Sequence, residues 1–145
     1  MRHARKVRVF DACWNATIDV AWGLDLPKFV KLLEQNYETF LEDESETEGQ
    51  CVQFDGPRGG ADVLIYLRTW NSNPSSWGML AHECFHACNI LLAERGQKFD
   101  PANDEAYAYF FSSTIERIGE LIEKTEAKIS SADQRRKRAR NRSSR

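Results

Sequence analysis

At Gly23 the hydrophobic period of this chain changes, and that change limits the folds open to it. Upstream, Val7 and Val9 and then Ile18, Val20 and Trp22 alternate with other residues at period two, the pattern of a half-buried strand. Asn15 between the two runs can turn, so residues 7–22 read as a hairpin. Downstream, Pro27 stands where a first helical turn tolerates proline, and Phe29, Val30, Leu32, Leu33, Tyr37, Phe40 and Leu41 recur at helical spacing through about residue 42. Strand signals return at Cys51–Phe54, closed by Asp55-Gly56-Pro57, and at Val63–Leu67, the most β-favouring run in the chain. Asn71–Ser76 then caps a helix from about Trp77 that Gly96 ends, and Asn103 or Asp104 caps a last helix running to about Ile129. The expected fold is α+β: a small, mainly antiparallel twisted sheet of about four strands with three helices. At 145 residues and 41% hydrophobic content the chain suits one domain with a real core.

The formal net charge of −2 conceals a segregation. Glu42, Asp43, Glu44, Glu46 and Glu48 form an acidic run that reads as a solvated loop. Residues 134–145 carry seven bases and no acid, too charged to pack, so the domain is expected to span 1–133 with a basic, disordered tail beyond it. Arg135, Arg136, Lys137, Arg138, Arg140 and Arg142 could track nucleic-acid phosphates without base specificity. No window approaches the 18 apolar residues of a membrane span, and Asp11, Asn15 and Asp19 interrupt any signal-like core, so a soluble cytoplasmic protein is expected. Cys13, Cys51, Cys84 and Cys88 then read as reduced thiols.

The chemistry sits on the second helix. His82-Glu83-Cys84-Phe85-His86 places two of the three histidines four residues apart, about 40° apart around a helix, where both imidazoles reach one ion. Glu83 lies about 60° around the helix from His86, able to reach a metal-bound water without being a ligand. Cys84, about 200° around from His82, faces the core with Cys88. A catalytic zinc usually has a third protein ligand. His3 lies in an N-terminal arm, and Asn89 and Leu92 occupy the places where an extended motif would carry a further histidine. Glu105, on the first turn of the next helix, is the remaining candidate. Tyr109, about 40° around that helix from Glu105, could donate to an oxyanion, ahead of Tyr66 and Tyr107.

These residues resemble the zincin metallopeptidases, in particular the gluzincin pattern of HExxH followed by glutamate in an ExxA context, here Glu105-Ala106-Tyr107-Ala108. The layout is also similar to small phage-encoded HExxH proteins. The resemblance implies a minimal zincin-like fold whose edge strand, Val63–Leu67, pairs with an extended peptide, and a location in the cytoplasm of a bacterial host. It implies Zn2+ held by His82, His86 and Glu105, Glu83 as general base, and a narrow set of polypeptide substrates. The alternative is an inactive metal-binding protein associated with nucleic acid or a host partner through its basic tail.

Overall fold

The computed structural model describes residues 5–11, 15–39, 47–56, 61–102 and 104–143. The elements run β1 (Arg5–Asp11), β2 (Ala16–Trp22), α1 (Leu26–Asn36), β3 (Gly49–Asp55), β4 (Ala61–Leu67), α2 (Pro74–Ala93) and α3 (Asp104–Ser143). The four strands form one mixed sheet in the order β1-β2-β4-β3, with β1–β2 and β3–β4 antiparallel and β2–β4 parallel. Four strands with three helices is the α+β composition that the period changes require. Cys13 and His3 lie outside the described residues, as do Asn103 and most of the acidic run.

Every residue of β2 and β4 is buried, because helices cover both faces of the sheet. Side chains alternate along a strand, so Ile18, Val20 and Trp22 meet α2 and α3 together with Val63, Ile65 and Leu67. Ala21, Leu64 and Tyr66 point the other way, onto Phe29 and Leu33 of α1, where Phe29 stacks on Tyr66 at 4.1 Å. The expectation that Val63–Leu67 is an edge strand is therefore corrected. A run that is apolar on both faces needs cover on both and pairing on both sides, and β4 pairs with β2 and β3. The edges are β1 and β3, so β4 has no free side for an incoming peptide.

On the α1 face β2 buries a charge. Asp19, fully inaccessible, accepts from Arg8 Nε at 2.7 Å and Nη2 at 2.8 Å, from Lys6 Nζ at 3.0 Å and from the Tyr37 hydroxyl at 2.6 Å. Those bonds stop α1. The helical spacing continues to Leu41, yet Tyr37 leaves the helical region (φ −128°, ψ −3°) to reach Asp19, and Glu38 follows at φ 51°.

The last helix departs from expectation in the other direction. Past Gly119 the chain has neither glycine nor proline, and Glu, Lys, Ala, Gln and Arg all sustain a helix. So α3 does not stop near Ile129 but runs to Ser143, and residues 134–143 are helical rather than disordered. Charge keeps them from packing without unwinding them: residues 130–141 are all exposed. No helix among the described residues is long and apolar enough to cross a membrane.

Candidate active site

Asn73 starts α2, its side chain accepting from Ser76 N at 2.9 Å with Pro74 at the first turn. Gly96, at φ 72°, ends it: Gln97 N donates to Leu92 O and Gly96 N to Ala93 O, both at 2.9 Å, a Schellman closure. Between these caps Leu80, Cys84, Ala87, Cys88 and Leu91 form the buried face. Cys84 and Cys88 are free thiols, both pushed up by burial, Cys88 to about 12.

The helical period then turns His82 and His86 outward. Both are exposed, and their Nε2 atoms stand 3.1 Å apart with the rings at 76°. Two imidazole nitrogens bound to one tetrahedral zinc at 2.0–2.1 Å are about 3.3 Å apart, so the pair already converges as a two-donor clamp would.

Glu83 differs from both histidines in being buried, 4% exposed, on the side of α2 that faces β3. No ion-pair partner among the described residues neutralises it. Burial pushes its carboxyl above the usual glutamate range, and the charge that His82 can carry offsets part of that. The β3 wall is Gly49: a Cβ there would come within 2.9 Å of Glu83 Oε1 and 2.7 Å of Met79 Sδ. Burial pushes the thiol of Cys51, two residues along, well up, and the Glu83 charge adds to that. Neither Gly49 nor Cys51 is identifiable from the motif. The only local signal is a glycine at the end of the acidic run, and pairing of β3 beside β4 is needed to bring it to Glu83.

The other predicted residues are not gathered with the pair. Among the described residues no three His, Cys, Asp or Glu side chains stand close enough to hold a metal together. Glu105 is exposed on the first turn of α3, at the rim of an apolar hollow of about 310 Å³ that includes Phe85, Phe99 and Phe111. His86 touches the neighbouring hollow, which shares Phe99 and Tyr107. Sequence spacing brings Glu105 to the same side of the molecule but not together with the two histidines. Tyr109 is 73% exposed in solvent. Tyr107 donates its hydroxyl to Gln97 O at 2.9 Å and Tyr66 to Leu24 O at 2.7 Å, so both are engaged structurally, Tyr66 on the opposite face of the sheet.

A further hollow, about 660 Å³, lies away from the pair, between the end of α1 and the sheet, with Arg8, Tyr37 and Gln53 in its wall. The Arg8 and Tyr37 polar groups there are committed to Asp19, so it is the smaller apolar hollow that adjoins the candidate chemistry.

No family model matches this chain, and no curated protein or solved structure matches it significantly.

Proposed function

We propose that this chain is a zinc-dependent hydrolase of peptide bonds with Glu83 as its general base. One observation carries the reading: two imidazole nitrogens converge to 3.1 Å on the solvent ridge of α2, with a buried carboxylate one residue from the first of them. His82 and His86 would hold the ion. The donor chemistry fits zinc at those two positions, and Glu105 is assigned the third, a role that requires it to approach across the Phe85 hollow when metal binds.

Zinc, when bound, supplies acidification of water to a pKa of about 7 and polarisation of a carbonyl. The protein supplies the rest. Among the described residues no ion pair neutralises Glu83, and its burial, only partly offset by the charge His82 can carry, makes it a stronger base than a solvated glutamate, suited to taking the proton of an attacking water. Gly49 and Met79 restrict where its oxygens can sit. The carboxyl then returns that proton to the departing amine. Oxyanion donation is assigned to Tyr109, which must swing in from solvent. Substrate would pass along β3, the edge strand beside Glu83, rather than β4, and the hollow at Phe85 and Phe111 offers room for one large apolar side chain.

The test is metal content and peptide cleavage measured on wild type, His82→Ala and Glu83→Gln. The reading expects about one zinc in wild type and Glu83→Gln, none in His82→Ala at low free metal, and cleavage lost by several orders of magnitude in both variants. Full stoichiometric zinc in His82→Ala refutes the site. A second reading, metal retention without hydrolysis, is favoured by the third donor standing apart. It predicts zinc in both wild type and Glu83→Gln with no cleavage by either.

A further inference from the structure

The helical extension at the end of α3 is a strongly charged feature that the hydrolase reading leaves unused. Glu126 ties α3 to the sheet, accepting from Trp22 Nε1 at 2.6 Å and from Arg5. Beyond Ile129 every side chain through Asn141 is exposed. At 1.5 Å per residue, residues 130–143 project about 20 Å as a single helix. That rod holds Arg135, Arg136, Lys137, Arg138 and Arg140 within six positions, and no acid follows Asp133. Because seven of the chain's bases lie in 134–145 and the whole chain is at −2, everything up to Asp133 carries nine net negative charges.

We infer that this extension binds double-stranded nucleic acid of B form by lying in its major groove. Three features choose that occupant. Successive helical residues step around the axis by about 100°, so Arg135, Arg136, Lys137 and Arg138 occupy all four quadrants, Arg140 falls near Arg136, and charge surrounds the rod instead of striping it. A flat anionic membrane would meet only part of that charge and would require an apolar face, but from Ser130 onward the only apolar side chains are Ala132 and Ala139. The same lack removes any seam for a coiled-coil partner. A groove about 12 Å wide, walled by phosphates on both sides, accepts a helix and satisfies charge on opposite flanks at once. The deep, narrow major groove of A-form RNA does not admit it. The acidic body is repelled by the same phosphates, so contact is confined to the extension and the His82–His86 ridge is left free. The inference is independent of the hydrolase reading, since it uses none of that site's residues.

The test is fluorescence anisotropy of the full chain with a labelled 20-base-pair DNA duplex, the same duplex as RNA, a single strand, and phosphatidylserine vesicles. Five or six phosphate contacts give a log–log salt slope of about −5, an affinity loss of about a thousandfold between 50 and 200 mM salt. Changing Arg135, Arg136, Lys137, Arg138 and Arg140 together to Gln, which preserves helix propensity, should weaken duplex binding at least a hundredfold at 50 mM salt with the melting temperature unchanged. Ala132→Pro keeps every charge but breaks the rod, and should weaken binding about tenfold. Equal binding by the Gln variant overturns the inference. So does equal or tighter binding of the RNA duplex, the single strand or the vesicles, or full affinity in Ala132→Pro, each of which would show charge acting without the groove.

Discussion

Gly119, inside α3, sets two well-known effects against each other. Replacing an interior helical glycine with alanine ordinarily stabilises by about 1 kcal/mol, because alanine loses less backbone entropy. Here a Cβ would stand 2.4 Å from Trp77 Cη2 and 2.5 Å from Cζ3, where carbon contacts belong at about 3.5–4.0 Å. The indole cannot simply yield, since it packs edge-on against Trp70 at 5.2 Å, and Trp70 is itself buried. Overpacking of this kind costs about 1–3 kcal/mol, and a gap this short falls at the upper end. Gly119→Ala should therefore destabilise by about 2 kcal/mol net, lowering the melting temperature by about 5 °C for a chain of this size. In a Trp77→Ala background the obstacle is gone, and the same substitution should stabilise by about 1 kcal/mol. The assay is thermal and urea unfolding of the four proteins by circular dichroism, closed as a double-mutant cycle. A coupling below about 0.5 kcal/mol, or a higher melting temperature for Gly119→Ala alone, would refute the claim that Trp77 is what keeps this position a glycine.

Three further outcomes follow from the buried ionisable groups. Burial pushes the Asp19 carboxyl up, but donation by Arg8, Tyr37 and Lys6 outweighs it and holds the group below its ordinary range; its contribution is thus present at neutral pH and lost as pH falls through that depressed value, and Asp19→Asn, costing about 2–3 kcal/mol at pH 7, should flatten the acid limb of a stability–pH curve. Glu83 has the opposite sign: its carboxyl is raised by burial, so its ionised form opposes folding above the raised value. Glu83→Gln should melt higher than wild type at pH 7, with the advantage vanishing as the pH drops below the ordinary glutamate range, and an equal or lower melting temperature at pH 7 would count against an unpaired buried carboxylate. Cys84 and Cys88, at 0% and 1% exposure, should react with a thiol reagent only as fast as the protein opens and completely in denaturant, whereas rapid native labelling of both would contradict their place on the core face of α2.

What is legible in the sequence divides from what is not along a physical line. The His82, His86 and Cys84 placements depend only on the helical period and the caps at Asn73 and Gly96, which are local, so spacing alone separates the motif's outward and inward faces; the burial of Glu83 depends also on Gly49 of β3, which spacing does not reveal. Glu105 depends on how the connection after Gly96 steers α3, a property of tertiary packing that residue spacing does not encode. Tyr37 shows the same limit inside one element, because the pull of Asp19, eighteen residues earlier, overrides helical periodicity. Val63–Leu67 carries its own signal, a run apolar on both faces, and the expectation of an edge strand comes from the resemblance instead of from that composition. In the extension of α3, high charge suggests disorder by composition, yet charge forbids packing and leaves helix propensity untouched.

The parallel ladder between β2 and β4 also governs the order in which the molecule can assemble. It joins Ile18–Trp22 to Val63–Leu67, pairs 45 residues apart in sequence, whereas β1–β2 and β3–β4 are neighbours along the chain. Two local units, the N-terminal hairpin and the β3–β4 hairpin, can form early. Joining them means closing a long loop before any contact repays the lost chain entropy, the situation in which high contact order slows folding. Because α2 lies on β4 and β3, the ridge of His82 and His86 gains its backing only after this late closure. During synthesis on a ribosome the histidine pair would therefore reach its final setting only after both halves of the sheet have emerged and met.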